Sequence, residues 1–320
     1  MRPSVFITRK LPEEIVAPLR EKFEVRMWDS DVSAVRRSVL QEEIAQVDAL
    51  WTVVSDRIDR ELLEAAGPLK VIANMGVGFN NIDINAAKDK GIIVTNTPDV
   101  LTETTADLAF ALLLATARRL NRAERELRHG GWLSWTPMGF TGMDVGGKTL
   151  GIIGMGRIGE AVMRRASGFN MRVLYHNRSR KVEVEQKYGC EYAELEQLLE
   201  SADHVVVLAP LTEQTAGMIG QRELGLMKKT ATLISMSRGG IIDEDALYEA
   251  LINETIWGAG LDVWEKEPVS KHHPLLTLPS VTALPHIGSA TVETRKAMMQ
   301  MNAEAILAVL EGQEPDNRIV

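Results

Sequence analysis

Cysteine is almost absent from the 320-residue chain. Cys190 stands alone, which excludes an intrachain disulfide framework and fits a reducing compartment. Long apolar runs are also missing. The apolar run through Ala109 to Ala115 is too short to span a bilayer, and Met1 to Arg9 lack the apolar core of a secretory signal. A cytoplasmic protein without a membrane partner is therefore expected. No internal repeat or low-complexity tract interrupts the sequence. Positive charge is in deficit. The formal net charge of -8 argues against nucleic acid as a partner, although a local basic pocket can still hold phosphate. The histidines lack metal-ligand spacing: His272 and His273 are adjacent, and His129, His176 and His204 stand apart, so no metal is expected. Cys190 follows Gly189 without an evident base and reads as structural.

What is present is a chain that is 45% hydrophobic and 25% charged, long enough for about two domains. Strand and helix signals alternate from the start. Val5–Thr8, Phe23–Met27, Ala49–Val54, Val71–Ala73 and Ile92–Thr95 read as strands, with helices over Glu61–Ala65 and Asp83–Lys90. Asn96-Thr-Pro98 marks a boundary, since Pro98 disfavours a continuing element. Thr102 to Arg119 reads as one long helix. Beyond it, Gly130 to Pro137 forms a loop bearing Trp132 and Trp135. It either packs as ordinary surface or covers a site or a second subunit.

The centre of the chain is Leu150 to Ile153, a short buried strand, followed by Gly154, Gly156 and Gly159 in G-x-G-x-x-G spacing and a helix over Glu160–Ser167. Glycines there permit a tight turn and let a phosphate approach the backbone and a helix N-terminus. Glycines also end ordinary strands, but the strand-turn-helix context and the next strand, Met171–Tyr175, favour a dinucleotide fingerprint over a plain crossover. That next strand runs into His176, Asn177, Arg178, Ser179 and Arg180, with no carboxylate before Glu183. An acidic residue at this place accepts from a ribose 2′-OH. Here Arg178 and Arg180 suit a 2′-phosphate instead, with Asn177 and Ser179 adding neutral hydrogen bonds. NADPH is expected, with NADH as the weaker alternative; otherwise the arginines are merely solvated.

Later strands over His204–Leu208, Ala231–Ser235, Trp257–Asp262 and Val281–Leu284 end near polar residues, and long helices cover Asp243–Ile252 and Thr291–Leu310. Arg238, Glu267 and His286 lie at or beyond successive strand ends. Arginine matches a carboxylate bidentately, histidine can deliver a proton near neutral pH, and a glutamate beside it would fix its tautomer and stabilise its charged form. The alternative is two surface ion-pairing residues and a hydrogen-bonded histidine. Asn74 to Asn81, with Gly76 and Gly78, is either an anion nest or a simple strand-to-helix turn.

Taken together, Gly76-Val-Gly78, Gly147-Lys-Thr-Leu-Gly151 leading into Gly154 to Gly159, Ser237-Arg-Gly-Gly240, Gly260-Leu-Asp-Val263 with Glu267-Pro268, and Pro285-His-Ile-Gly288 resemble the D-isomer-specific 2-hydroxyacid dehydrogenase family over nearly the whole chain. Asn177 to Arg180 and Pro285 to Thr291 resemble its glyoxylate/hydroxypyruvate reductase and 2-ketogluconate reductase branch. The resemblance implies two Rossmann-like α/β domains with an active-site cleft between them. A flavodoxin-like substrate domain would span 1–98 plus 289–320, and a doubly wound dinucleotide-binding domain 99–288. Arg238 would bind the substrate carboxylate, His286 would donate the proton, and Glu267 would assist it. Val77 and Gly78 amides would hold the carboxylate from the other domain. Arg157 and Ile158 would meet the pyrophosphate, Pro210 would line the cofactor cleft, and Asp262 would bond the nicotinamide carboxamide. A homodimer through 102–141 is implied, with Trp135 reaching toward the neighbour's pocket.

Two residues depart from the family pattern. Ser235 replaces a frequent asparagine, and His176 replaces the aspartate of members preferring NAD. The expected reaction is NADPH-dependent reduction of glyoxylate or hydroxypyruvate, with 2-ketogluconate close behind. Rivals are an NAD-linked reductase of bulkier 2-oxo acids, a phosphite or formate dehydrogenase relative, and a dinucleotide-sensing corepressor. Glu267 speaks against the formate branch, which carries glutamine, and the intact trio speaks against a corepressor.

Overall fold

Strands that are buried on both faces read as nearly unbroken apolar runs, and this chain has two sets of them. The computed structural model describes residues 2–320. The chain divides into two compact units, one running to Leu101 and completed by Ala290–Val320, the other Thr102–Ser289.

The first unit is a five-stranded, wholly parallel sheet of β1 (Ser4–Ile7), β2 (Glu24–Met27), β3 (Ala49–Val53), β4 (Val71–Met75) and β5 (Ile93–Thr95). Its order, β2-β1-β3-β4-β5, is the flavodoxin-like one. Leu50, Ile72, Leu62 and Leu63 are fully buried between sheet and helices. Each such side chain contributes roughly 1.5–3 kcal/mol of burial energy. Short helices start where the sequence supplies caps. Asp59 accepts the amide of Leu62 and Asp83 that of Ala86. The helix Val292–Leu310 packs against β4, and Asn302 in its buried face donates to the carbonyl of Ala73 at 3.1 Å. The chain end closes on β5, where Ile319 donates to the carbonyl of Val94 at 2.7 Å.

The second unit carries seven parallel strands: β6 (Thr149–Ile153), β7 (Arg172–His176), β8 (Glu191–Tyr192), β9 (His204–Val207), β10 (Thr232–Ser235), β11 (Gly258–Leu261) and β12 (Val281–Ala283). The order β12-β11-β10-β9-β6-β7-β8 is doubly wound. The winding direction reverses between β6 and β9, and ligands of such sheets bind beyond the strand ends at that reversal. The helix Thr102–Ala117 lies on β10 and β11. Glycine makes that approach possible: a Cβ at Gly260 would come within 2.6 Å of Thr116 Oγ1 and 2.7 Å of Leu112.

The sequence reading does not contain the short edge strand β8, and two helices differ from it in their bounds. The long helix stops at Ala117, because Arg119 takes a left-handed conformation (φ 50°) and places its guanidinium 3.6 Å above the Trp257 ring. The chain resumes as a separate helix, Leu120–Arg128, with no buried residue. The fingerprint helix begins at Arg157, a turn before the expected start. No described helix is long and apolar enough to cross a membrane.

Candidate active site

The glycine fingerprint sits at the end of β6. Gly154 has φ 104°, and a Cβ there would run into the backbone of Ala209 at the end of β9. A Cβ at Gly159 would strike the Gly154 carbonyl at 2.5 Å. Each glycine is therefore demanded by close packing. Gly156 differs. It caps the helix Arg157–Ser167 without any side-chain cap, its φ is an ordinary -89°, and a Cβ there would meet nothing within 4 Å. That leaves open space beside the first helical amides, those of Arg157 and Ile158. This cradle fits the pyrophosphate of a dinucleotide.

The end of β7 is tied to the same turn. Asn177 Oδ1 accepts the amide of Met155 at 2.8 Å, so this side chain fixes the fingerprint loop rather than standing free. Arg178 and Ser179 are exposed. Arg180 is also exposed, but it forms a two-pronged pair with Glu185, Nε to Oε1 at 2.8 Å and Nη2 to Oε2 at 2.6 Å. Pro210 is exposed just beyond β9.

Arg238, Glu267 and His286 follow β10, β11 and β12, the strands adjacent in the sheet. Glu267 Oε2 lies 2.7 Å from His286 Nδ1, and Oε1 accepts the Trp264 amide at 3.1 Å. Burial pushes the Glu267 carboxyl upward. The His286 hydrogen bond and charge, the Trp264 amide and the Arg238 charge outweigh it and hold the group below its usual value. The Arg238 loop touches the Glu267 loop directly, since a Cβ at Gly239 would overlap the Trp264 carbonyl. Arg238 is half-buried and donates from Nη1 to the Ser237 carbonyl at 2.7 Å. Burial lowers its pKa from the usual guanidinium value, against the opposing charge of Glu267. A half-buried arginine and a histidine steadied by a carboxylate suit an anion held for proton transfer.

One role was not visible from spacing. Asp262, buried at the end of β11, accepts two amides of the next strand-end loop, Ile287 at 2.8 Å and Gly288 at 2.8 Å. It thereby fixes the segment in which His286 adopts a left-handed φ of 55°. Burial raises the Asp262 carboxyl above its usual value, opposed by those two amides and by His286. The pairing spans 25 residues, and only the neighbouring positions of β11 and β12 bring it about.

In the first unit, the loop after β4 is pinned by its carbonyls. Asn96 Nδ2 donates to Val77 O at 2.8 Å and Asn74 Nδ2 to Gly78 O at 3.0 Å. A Cβ at Gly76 would collide with Val54. Trp135 lies in the exposed loop after the helix Leu120–Arg128, 77% accessible.

Residues 110–288 match the family model described as D-isomer specific 2-hydroxyacid dehydrogenase, NAD binding domain. The chain is 49% identical over 319 residues to a glyoxylate reductase of Thermococcus onnurineus, covering 98% of this chain and 95% of that protein. It is 48% identical over 320 residues to a glyoxylate reductase of Korarchaeum cryptofilum, covering 100% and 96%. Among solved structures, the NADPH-dependent glyoxylate/hydroxypyruvate reductase of Sinorhizobium meliloti, in complex with NADP and malonate, superposes with TM-score 0.87 at 34% identity, covering 100% of this chain and 97% of that one. With this likeness spanning both units, the chain belongs to the D-isomer specific 2-hydroxyacid dehydrogenase family.

Proposed function

We propose that the protein reduces small 2-oxo acids with NADPH, taking glyoxylate to glycolate and hydroxypyruvate to D-glycerate. The carrying observation is the 2.7 Å contact of Glu267 with His286 beside the half-buried Arg238. The relatives named as glyoxylate reductases support this choice of acid, and the Sinorhizobium meliloti reductase supports the cofactor.

When bound, the nicotinamide supplies the hydride that C2 of the 2-oxo acid accepts. The protein does the rest. Arg238 takes the substrate carboxylate and fixes which carbon is presented. Nδ1 of His286 is committed to Glu267, so Nε2 holds the proton that passes to the keto oxygen as that oxygen gains charge. Glu267, kept ionised, accepts from Nδ1–H and so fixes the orientation and tautomer of the ring. Solvent then returns the proton. Val77 and Gly78 amides add hydrogen bonds to the carboxylate in this reading. Gly154, Gly156, Gly159, Arg157 and Ile158 form the pyrophosphate cradle, and Pro210, Asn177, Arg178 and Ser179 belong to the cofactor site, with Arg180 beside them held by Glu185.

The protein is also read as a cytoplasmic homodimer. The helix Leu120–Arg128 buries no residue, and Leu133 and Trp135 just beyond it are 93% and 77% exposed, an apolar surface that a second copy would cover. Trp135 would then border the neighbour's substrate pocket.

The test is the initial rate of reduced-cofactor oxidation with glyoxylate, hydroxypyruvate and 2-ketogluconate, each against NADPH and NADH. Fast NADPH oxidation with the two smaller acids supports the reading. A clear preference for 2-ketogluconate moves the substrate, a preference for NADH overturns the cofactor, and no turnover with any acid overturns the reaction.

A further inference from the structure

The segment following β7 carries three cations, Arg178, Arg180 and Lys181. Two already have carboxylate partners. Lys181 Nζ lies 2.9 Å from Glu160 Oε1 on the fingerprint helix. Arg180 is gripped by both oxygens of Glu185, on the helix Val182–Tyr188. Isolated exposed ion pairs hold little, but two-pronged arginine pairs within a network hold more. Here the network exists. The hydroxyl of Tyr175, a residue with no exposed surface, donates to Glu185 Oε1 at 2.6 Å and accepts the Lys181 amide at 2.7 Å. That one hydroxyl sets both the carboxylate and the backbone of the cationic segment. Glu185 is itself only 13% exposed, against 61% for Arg180. A phosphate that drew Arg180 away would leave this carboxylate without its charge partner. Arg178 is exposed and has no ion pair among the described residues.

We infer that Glu185, anchored by Tyr175, withholds Arg180 from an adenosine 2′-phosphate, so that Arg178 supplies the cationic discrimination between NADP and NAD. The inference rests on the NADPH reading above. It divides the labour between two arginines that sequence alone treats as equal. It also makes Glu185 a positioning residue for cofactor choice, although it need not touch the cofactor.

The experiment is calorimetric titration of the full chain and its variants with NADP+ and, separately, NAD+, without substrate or turnover. Losing a charge-assisted contact to phosphate should cost R178A about tenfold or more in NADP+ affinity, with NAD+ affinity unchanged. R180A should lose less than about threefold, because its charge is already spent on Glu185. E185Q should bind NADP+ severalfold tighter than wild type, since Arg180 is released and a carboxylate charge is removed. A loss in R180A as large as in R178A, or weaker NADP+ binding by E185Q, would overturn the inference alone. Wild-type protein that binds NAD+ as tightly as NADP+ would overturn the NADPH reading and the inference together.

Discussion

Glu267 reaches His286 with one carboxylate oxygen at 2.7 Å and the Trp264 amide with the other at 3.1 Å, so the group that steadies the histidine is itself steadied by its own loop. Substitution E267Q keeps the shape and removes the charge. Turnover should fall by about tenfold or more, because the ring loses the carboxylate that orients it and fixes its tautomer. Affinity for NADP+ should stay near wild type, which titration calorimetry checks.

The same carboxylate is held below its ordinary value of 4.5. A depressed carboxyl contributes stability that is present above pH 4.5 and is lost as pH falls through its lower folded value. Denaturant unfolding of wild type should therefore weaken on acidification through that window. E267Q should show a shallower loss there.

His204 gives a second pH signature of opposite chemistry. It is buried, with Nδ1 2.8 Å from Thr232 Oγ1 and Nε2 3.1 Å from the Asp144 carbonyl, and burial pulls its pKa below 6.5. The unfolded chain binds a proton near pH 6.5 while the folded chain resists it. Stability should be full above pH 6.5 and fall below it, by up to about 1.4 kcal/mol per pH unit for this one group. Unfolding of H204Q over the same range checks this, and an unchanged slope would exclude His204 as the source.

Two glycines of one fingerprint should respond differently. Alanine at Gly154 meets the Ala209 backbone and a left-handed φ of 104°, so G154A should lower the melting temperature by several degrees, a destabilisation of about 2 kcal/mol or more. Alanine at Gly156 meets nothing within 4 Å, so G156A should melt like wild type yet bind NADP+ at least about tenfold more weakly, its methyl occupying the phosphate approach. Thermal melts and titrations of the pair separate packing from binding.

Asp262 should behave as a support for His286. D262N offers one good acceptor to the amides of Ile287 and Gly288 and sets an N–H against the other. Turnover should drop by about tenfold or more, with a lower melting temperature, because an unsatisfied buried amide costs roughly 1–3 kcal/mol. Kinetics and melts of D262N test this together.

How legible the site was depended on the range of each interaction. The fingerprint is local: three glycines within six residues between a strand and a helix, Gly154 and Gly159 demanded by close packing and Gly156 leaving open space beside the first helical amides. Most strands of both sheets could be read as apolar segments, since strands buried on two faces leave little ambiguity, whereas the two-residue edge strand β8 carries no such run. Arg238, Glu267 and His286 could be placed at strand ends, but only neighbouring strands bring them together. The Asp262 clamp and the Glu185 grip on Arg180 could not be read, because each depends on a side chain turning toward a segment fixed by tertiary packing. The break at Arg119 was hidden because a left-handed arginine has no compositional mark, and the ring it meets, Trp257, lies more than a hundred residues on. Short helices such as Val182–Tyr188, with no buried residue, carry almost no periodic signal.

The most direct measurement is the turnover of NADPH with glyoxylate for wild type and H286A, alongside NADP+ binding by both. The account predicts rapid wild-type turnover, and in H286A a fall of about a hundredfold or more at nearly unchanged NADP+ affinity. Full turnover in H286A, or none in wild type that binds NADP+, would contradict it.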